Sequence, residues 1–395
     1  MGILFKGDIM KNKIIKVLSY VLTALAASAV TLGAVALLAG DGYSKLEQLE
    51  DLIEQRFIGE EDRVAMENAA ADAMVQALGD RWSYYVSAED YQSYKEQMAN
   101  AYVGIGVTVQ QRQDGAGLDV TQVTKGSSAE EAGILAGDVI LAVDGKELEG
   151  LELTEVRNMI RGKEGTKVSL TVLRGDNRLE LQVERRTIQT PVATATMLEG
   201  NVGLVKITNF DSRCYDETIA AIEQLMEQGA EKLIFDVRYN PGGYKKELVK
   251  ILDDLLPEGL LFRSEYYDGT VTDDPSDADC LDVPMAVLVN GSSYSAAEFF
   301  AAALRDYDWA TVVGTQTCGK GYFQNTYELK DGSAVALSVG KYYTPKGVSL
   351  AEVGGLIPDK TVEVDEETAA AIYAGTIDPM EDPQILAAIA ALNQE

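Results

Sequence analysis

The chain has 395 residues, with 34 Lys+Arg against 63 Asp+Glu, three cysteines and no histidine. Without histidine there is no Ser-His-Asp or Cys-His site, no HExxH zinc protease and no His-ligated metal, so any general base must be Lys, Asp, Glu, Tyr or a terminal amine. A net charge of -29 argues against nucleic acid, which needs clustered Lys/Arg, and against adhesion to an anionic lipid surface.

The N-terminus places the chain. Residues 1–16 form a basic stub with Lys6, Lys11, Lys13 and Lys16, and no charged residue follows from Val17 to Gly40. An apolar run of that length can cross a hydrocarbon core as a helix. The basic flank predicts a cytoplasmic N-terminus and an extracytoplasmic body. A cleaved signal peptide is the rival reading, with Ala34-Val35-Ala36 as its cleavage site, but the run is longer than the usual apolar region of a signal peptide. Residues 1–40 hold four Lys and one Asp, so the exported remainder carries -32.

Residues 41–100 read as a helical region, with Leu46, Leu49, Leu52, Ile53 and Phe57 at helical spacing, then Met66, Ala70, Met74 and Leu78. They suit a dimerisation element or helices packed on their own domain. Residues 101–187 change character. YVGIGVTVQQ is strand-like, AEEAGILAGDVILAVDG reads helix, turn, strand and turn, and LTEVRNMIRG is helical. TKVSLTVLR and RLELQVERR are alternating strands joined at Gly175-Asp176-Asn177. This β-rich module resembles a PDZ domain at Gly104-Ile105-Gly106-Val107 and at Gly137-Asp138-Val139-Ile140. The resemblance implies that residues 104–107 hold a peptide carboxylate on backbone N–H groups while the next strand pairs with the peptide.

Linkers are expected at residues 99–101 and 187–193. Residues 188–375 alternate strands (GLVKITNF, KLIFDVR, MAVLVN, ATVVG) with helices (ETIAAIEQLMEQG, YKKELVKILDDLL, SAAEFFAAALRDY), the pattern of a mainly parallel sheet covered by helices. Residues 376–395 read as a helical tail. Cys214, Cys280 and Cys318 form no CxxC pair, so no zinc knuckle is expected. They read as ordinary thiols, with a Cys214–Cys280 bond left open.

Three local features carry chemistry. Asn290-Gly291-Ser292-Ser293-Tyr294-Ser295 ends a strand and opens a helix, where a serine is either a nucleophile favoured by the helix N-terminus or a simple cap; both Ser293 and Ser295 suit the cap. Gly319-Lys320-Gly321 lets a lysine turn inward, where burial lowers its pKa; a surface turn is the plain alternative. Asn240-Pro241-Gly242-Gly243 exposes backbone N–H groups of the kind an oxyanion hole uses, or is an ordinary connection.

Together these resemble the C-terminal processing peptidases, or tail-specific proteases. Lys320 stands 25 residues after Ser295 and Gln324 four beyond it. DVRYNPGG, YYTPKGVSLAEVGGLIPD and DRWSYYVSAEDY also match. The resemblance covers about residues 45 to 365 and implies a multidomain α/β fold: transmembrane helix, helical region, PDZ domain and a crotonase-like ββα core. It implies a serine endopeptidase with Ser295 as nucleophile, Lys320 as base and Gln324 orienting the lysine. Gly243 or Gly242, with Ala296, would hold the oxyanion. Glu298 and Asp306 are supporting residues, and Arg161 links peptide binding to catalysis. No cofactor or metal is implied. Substrates would be proteins with apolar C-termini, and a homodimer is compatible with the family. Tyr294, Ala297 and Cys318 stand where the family usually has Ala, Ser and Phe. Tyr294 bears on specificity and gating, and it keeps a non-catalytic, membrane-tethered PDZ scaffold as the alternative.

Overall fold

The computed structural model describes Thr23 and residues 44–394 apart from Gln113; the stub and apolar run, residues 1–40, lie outside the described residues but for Thr23. Among the described residues no helix is long and apolar enough to cross a membrane. The described residues divide into two compact units between Ala70 and Ala71.

In the first unit, Ser44 caps the helix Lys45–Arg56 reciprocally with Glu47: the Glu47 N–H donates to Ser44 Oγ (3.2 Å) and the Ser44 N–H to Glu47 Oε2 (2.6 Å). Leu49 and Leu52 on this helix are exposed.

The second unit departs from the sequence reading at its start. The helix Arg63–Gln76 ends, and residues 77–90 are not helical. Tyr84–Val86 is a strand paired antiparallel with Ala334–Ala336. Gly79 turns with φ 69°, and the aromatic run Trp82-Ser83-Tyr84-Tyr85-Val86 favours a pleated surface over a helix. Helix resumes only at Tyr91–Met98.

YVGIGVTVQQ is not one strand. Ala101–Gly104 pairs with Arg186–Gln189, the chain turns at Gly106 (φ 84°), and Val107–Gln111 pairs with Leu118–Val123. The two expected linkers are thereby zipped together as a ribbon, with Ala101 opposite Gln189. The module's main sheet runs Val107–Gln111, Leu118–Val123, Val139–Val143, Lys167–Arg174, Asn177–Glu184, antiparallel throughout. Its hairpin turns on two residues, Gly175-Asp176, because Asn177 already pairs with Arg174. Val120, Ile140, Val156, Leu170 and Val183 fill its core. The Gly137-Asp138 motif has a structural reason: buried Asp138 takes both Arg174 Nε and Nη2 at 2.8 Å and the Leu135 N–H at 2.9 Å. Chiefly Arg174 holds its carboxyl below the usual range.

The core sheet runs in chain order: Ala193–Leu198, Val202–Ile207, Lys232–Asp236, Met285–Val289, Ala310–Gly314, Lys360–Thr361. The first pair is antiparallel and the rest parallel. Its central strands are buried on both faces, which is why they read as unbroken apolar runs. A second sheet joins Tyr84–Val86, Tyr322–Glu328, Ala334–Tyr343, Gly259–Tyr266 and Val271–Ser276. The helix Ala296–Asp306 is wedged between the two sheets. Phe300 meets Phe235 of the parallel sheet edge-on at 5.3 Å, and Phe299 meets Phe262 of the second at 5.0 Å. Ala296, Ala297, Ala301, Ala302 and Ala303, also buried on this helix, let both sheets approach.

Residues 376–395 are not a free tail. The helix Pro383–Leu392 buries Ile385, Ala388 and Leu392 against Leu204, Ile234 and Leu288, covering the sheet's other face. At its start Asp382 binds Arg238 (2.8 Å), which also pairs with Asp236 (2.7 Å), all three buried.

Candidate active site

The strand Met285–Val289 ends at Asn290, and the turn that follows separates its two serines by role. Ser293 is fully buried. Its Oγ donates to the Val237 carbonyl (2.7 Å) and accepts from the Asn290 N–H (3.0 Å), so it ties this turn to the neighbouring strand end. Ser295 has φ 57° and ψ -126° at the head of Ala296–Asp306. A non-glycine residue held there is strained, and such strain needs a surrounding structure that over-determines it.

Asn240-Pro241-Gly242-Gly243 packs directly against it. Asn240 is fully buried: its Nδ2 donates to the Ile207 carbonyl (2.8 Å), its Oδ1 accepts the Gly242 N–H (2.8 Å) and its carbonyl accepts the Tyr294 N–H (3.1 Å). A Cβ on Gly242, at φ 87°, would lie 2.7 Å from the Ser295 Cβ and 2.9 Å from the Ala296 nitrogen, so only glycine fits. Gly242 spends its N–H on Asn240, so the donors left in the adjoining backbone are those of the next residues, Gly243 after Gly242 and Ala296 after Ser295. Neither N–H is donated to another group among the described residues.

Glu298, fully buried one turn into the helix, joins this turn to the lysine loop. It accepts the Ser295 N–H (2.9 Å), Thr317 Oγ1 (2.5 Å), the Gly319 N–H (2.6 Å) and the Lys320 N–H (2.8 Å). One carboxylate thus fixes both ends of the Ser295–Lys320 pair in register. Gly319, at φ 83°, is needed because a Cβ would strike Gly354 and Gly355 at 2.9 Å. That contact also explains the downstream GVSLAEVGGL run, whose Leu356 N–H donates to Thr317 Oγ1 (2.7 Å).

Lys320 is largely buried. Burial pushes its pKa below the ordinary lysine value, with Cys318, Asp80 and Glu298 opposing the shift. Its Nζ stands 4.8 Å from the Trp82 ring centroid and 5.7 Å from that of Tyr294. Among the described residues no hydrogen bond joins it to Ser295 Oγ. Gln324 faces Ser338 across the strand pair and donates to its Oγ (2.9 Å), with no hydrogen bond to Lys320. Asp306 accepts the Lys346 N–H (3.0 Å) at the far end of the helix, where it orders the TPKG turn.

In the PDZ-like module, Ile105 is buried and neither it nor Gly106 donates its N–H elsewhere among the described residues, leaving both free for an anion. Val107–Gln111 stands at the end of its sheet with one edge unpaired. Arg161 follows the helix Leu153–Ile160 and places its guanidinium 4.9 Å over Tyr102, in the ribbon leading to Gly104.

Sequence reasoning gave no role to Trp82, Asn240 or Thr317, and offered Ser293 only as a helix cap. Asn240 and Ser293 lay inside quoted motifs but act by packing one motif on another. Trp82 reaches Lys320 from 238 positions away. A cavity of about 1000 Å³ adjoins this loop, lined by Asp80, Arg81, Trp82, Tyr266, Gly319 and Tyr322 among others. Cys214, Cys280 and Cys318 are all free thiols. Among the described residues no cluster of His, Cys, Asp or Glu could hold a metal.

Comparison with known proteins decides the family. The pattern of Peptidase family S41 matches residues 201–362, and that of a PDZ domain matches residues 120–174. A probable CtpA-like serine protease of Staphylococcus aureus (strain N315) is 33% identical over 337 residues, 84% of this chain and 67% of that protein. This chain belongs to peptidase family S41. It is a serine peptidase of the C-terminal processing type carrying a PDZ domain, as the sequence motifs had implied. A similar protein of Staphylococcus saprophyticus is 32% identical over 327 residues, 82% of this chain and 66% of that one. The fold is shared with a putative S41 protease from Bacteroides fragilis NCTC 9343, at TM-score 0.52 and 17% identity, covering 82% of this chain and 90% of that one.

Proposed function

We propose that the chain is a membrane-anchored, extracytoplasmic endopeptidase that works through a Ser295–Lys320 dyad on proteins with apolar C-terminal tails. The observation that carries this reading is the shared clamp. Glu298 binds the backbone of both Ser295 and Lys320, and Gly242 packs against Ser295 and Ala296, with the N–H groups of Gly243 and Ala296 uncommitted among the described residues.

In this scheme neutral Lys320 accepts the Ser295 proton as Oγ attacks the scissile carbonyl, and it returns that proton to the leaving amine; water then releases the acyl group. Gly243 and Ala296 donate to the oxyanion. For this, Lys320 must leave its present contacts and reach Ser295, and Gln324 must turn from Ser338 to steady the amine. The substrate's C-terminal carboxylate binds the free N–H groups of Ile105 and Gly106, and its tail adds to the edge of Val107–Gln111. Arg161, whose guanidinium lies over Tyr102, passes occupancy of that groove to the ribbon. The apolar run of residues 17–40 supports the anchor.

The test uses the full chain and a denatured reporter protein ending in three apolar residues. Ser295→Ala and Lys320→Ala are each expected to abolish cleavage; wild-type rates in both would defeat the dyad. Arg161→Ala is expected to lose the rate advantage of an apolar tail over a charged one, and an unchanged advantage would remove that link. On alkaline washing the chain is expected to stay with membranes; release into the wash would contradict the anchor.

A further inference from the structure

The ammonium of Lys320 has partners of an unusual kind. The faces of Trp82 and Tyr294, 6.0 Å apart and inclined by 30°, both lie within 6 Å of Nζ. Among the described residues it makes no ion pair. A ring face attracts a cation and gives nothing comparable to a neutral amine.

Both walls are built into the fold, from different elements. The Trp82 N–H donates to Asp80 Oδ1 (3.1 Å). The next residue, Ser83, is buried, donates to Asp80 Oδ2 (2.6 Å) and accepts the Ser338 N–H (3.0 Å). Tyr294 is held by its N–H on the Asn240 carbonyl (3.1 Å) and by the close approach of Gly242. The charged and titratable groups around Lys320 are Arg81, Asp80, Cys318, Glu298 and Tyr294 itself. Arg81 lies 4.3 Å from the Trp82 ring and donates to Cys318 Sγ at 3.8 Å. Asp80, Cys318 and Glu298 favour the ammonium, and burial opposes it.

We propose that Trp82 and Tyr294 are positioning residues, a two-ring seat that holds protonated Lys320 off Ser295 between turnovers. The inference rests on the dyad reading above. To act as base, Lys320 must both lose its proton and leave the rings, so the seat defers activity to higher pH and lowers the rate at neutral pH. Tyr294, with the bulk that set it apart in the sequence, then governs the base directly.

The experiment is kcat/KM against pH for the full chain on the same reporter. Tyr294→Leu keeps an apolar wall and removes the ring face. Its acid limb is expected to fall by about half to one pH unit, with kcat/KM at pH 7 rising about 3- to 10-fold. Trp82→Leu is expected to move the limb the same way. Tyr294→Phe keeps the face and is expected to leave the limb in place. A limb unmoved or shifted to higher pH in Tyr294→Leu, or moved equally by Phe and Leu, would overturn the seat. Each variant is checked by circular dichroism, and Tyr294→Met replaces one that does not fold. Lys320→Ala separates the two ideas: if it is inactive while the limb of Tyr294→Leu stays put, the seat fails and the dyad stands. Full activity in Lys320→Ala would defeat the dyad and the seat with it.

Discussion

Gly242 and Glu298 show how few atoms set the geometry around Ser295. Gly242→Ala is expected to lower kcat/KM by at least about 100-fold, the loss typical of a disturbed oxyanion site, with far smaller change in binding of a tail peptide. Glu298→Ala leaves four donors unpaired in a buried place. It is expected to destabilise the protein by several kcal/mol in denaturant unfolding, since each buried donor left unpaired costs about 1–3 kcal/mol. Lys320 has the opposite sign. Burial depresses its folded pKa below the unfolded value, so the lysine penalises the fold at neutral pH, and the penalty fades as pH rises through the folded pKa toward the ordinary lysine value. Lys320→Met is therefore expected to abolish cleavage and raise Tm at pH 7, with the gain shrinking by pH 10. At this scale the serine turn, the Gly319-Lys320-Gly321 loop and the glycine pair were legible as motifs because each is local in the chain, while the roles given to their residues came from the family resemblance. Choosing Ser295 over Ser293 was not legible from the residues alone, since only the fold shows which hydroxyl is consumed by the Val237 carbonyl.

Elements were legible where a single face or period decides them, as in the two-residue hairpin region and the buried parallel strands. They failed where partners lie far off in sequence. Residues 77–90 join a strand some 250 residues downstream, so a run of helical spacing on either side misled. The break at Gly106 was hidden because strand-forming residues stand on both sides and only their different partners separate them. The C-terminal helix looked like a tail because its apolar side has no partner until the parallel sheet exists. Ile385→Ala is expected to cost about 2–5 kcal/mol, as for a fully buried aliphatic side chain, measured by equilibrium unfolding. A dispensable tail would show almost none.

For the whole molecule, the sequence conveyed family and module order, because glycine motifs and strand–helix alternation are local. What it could not convey is the join: the ribbon that zips the PDZ domain's two connections, and the N-terminal segment that brings Trp82 to the lysine. The acidic excess of -29 bears on solubility, while Lys320 lies largely buried between the rings of Trp82 and Tyr294. The absence of histidine fits a serine peptidase that draws its base from lysine. Lys320→Arg tests this most directly, because arginine keeps the charge and cannot deprotonate. Cleavage of the apolar-tailed reporter by the full chain is measured from pH 6 to 10. The dyad predicts no cleavage above background at any pH, with the fold intact. Turnover near the wild-type rate, with the same dependence on pH, would contradict it.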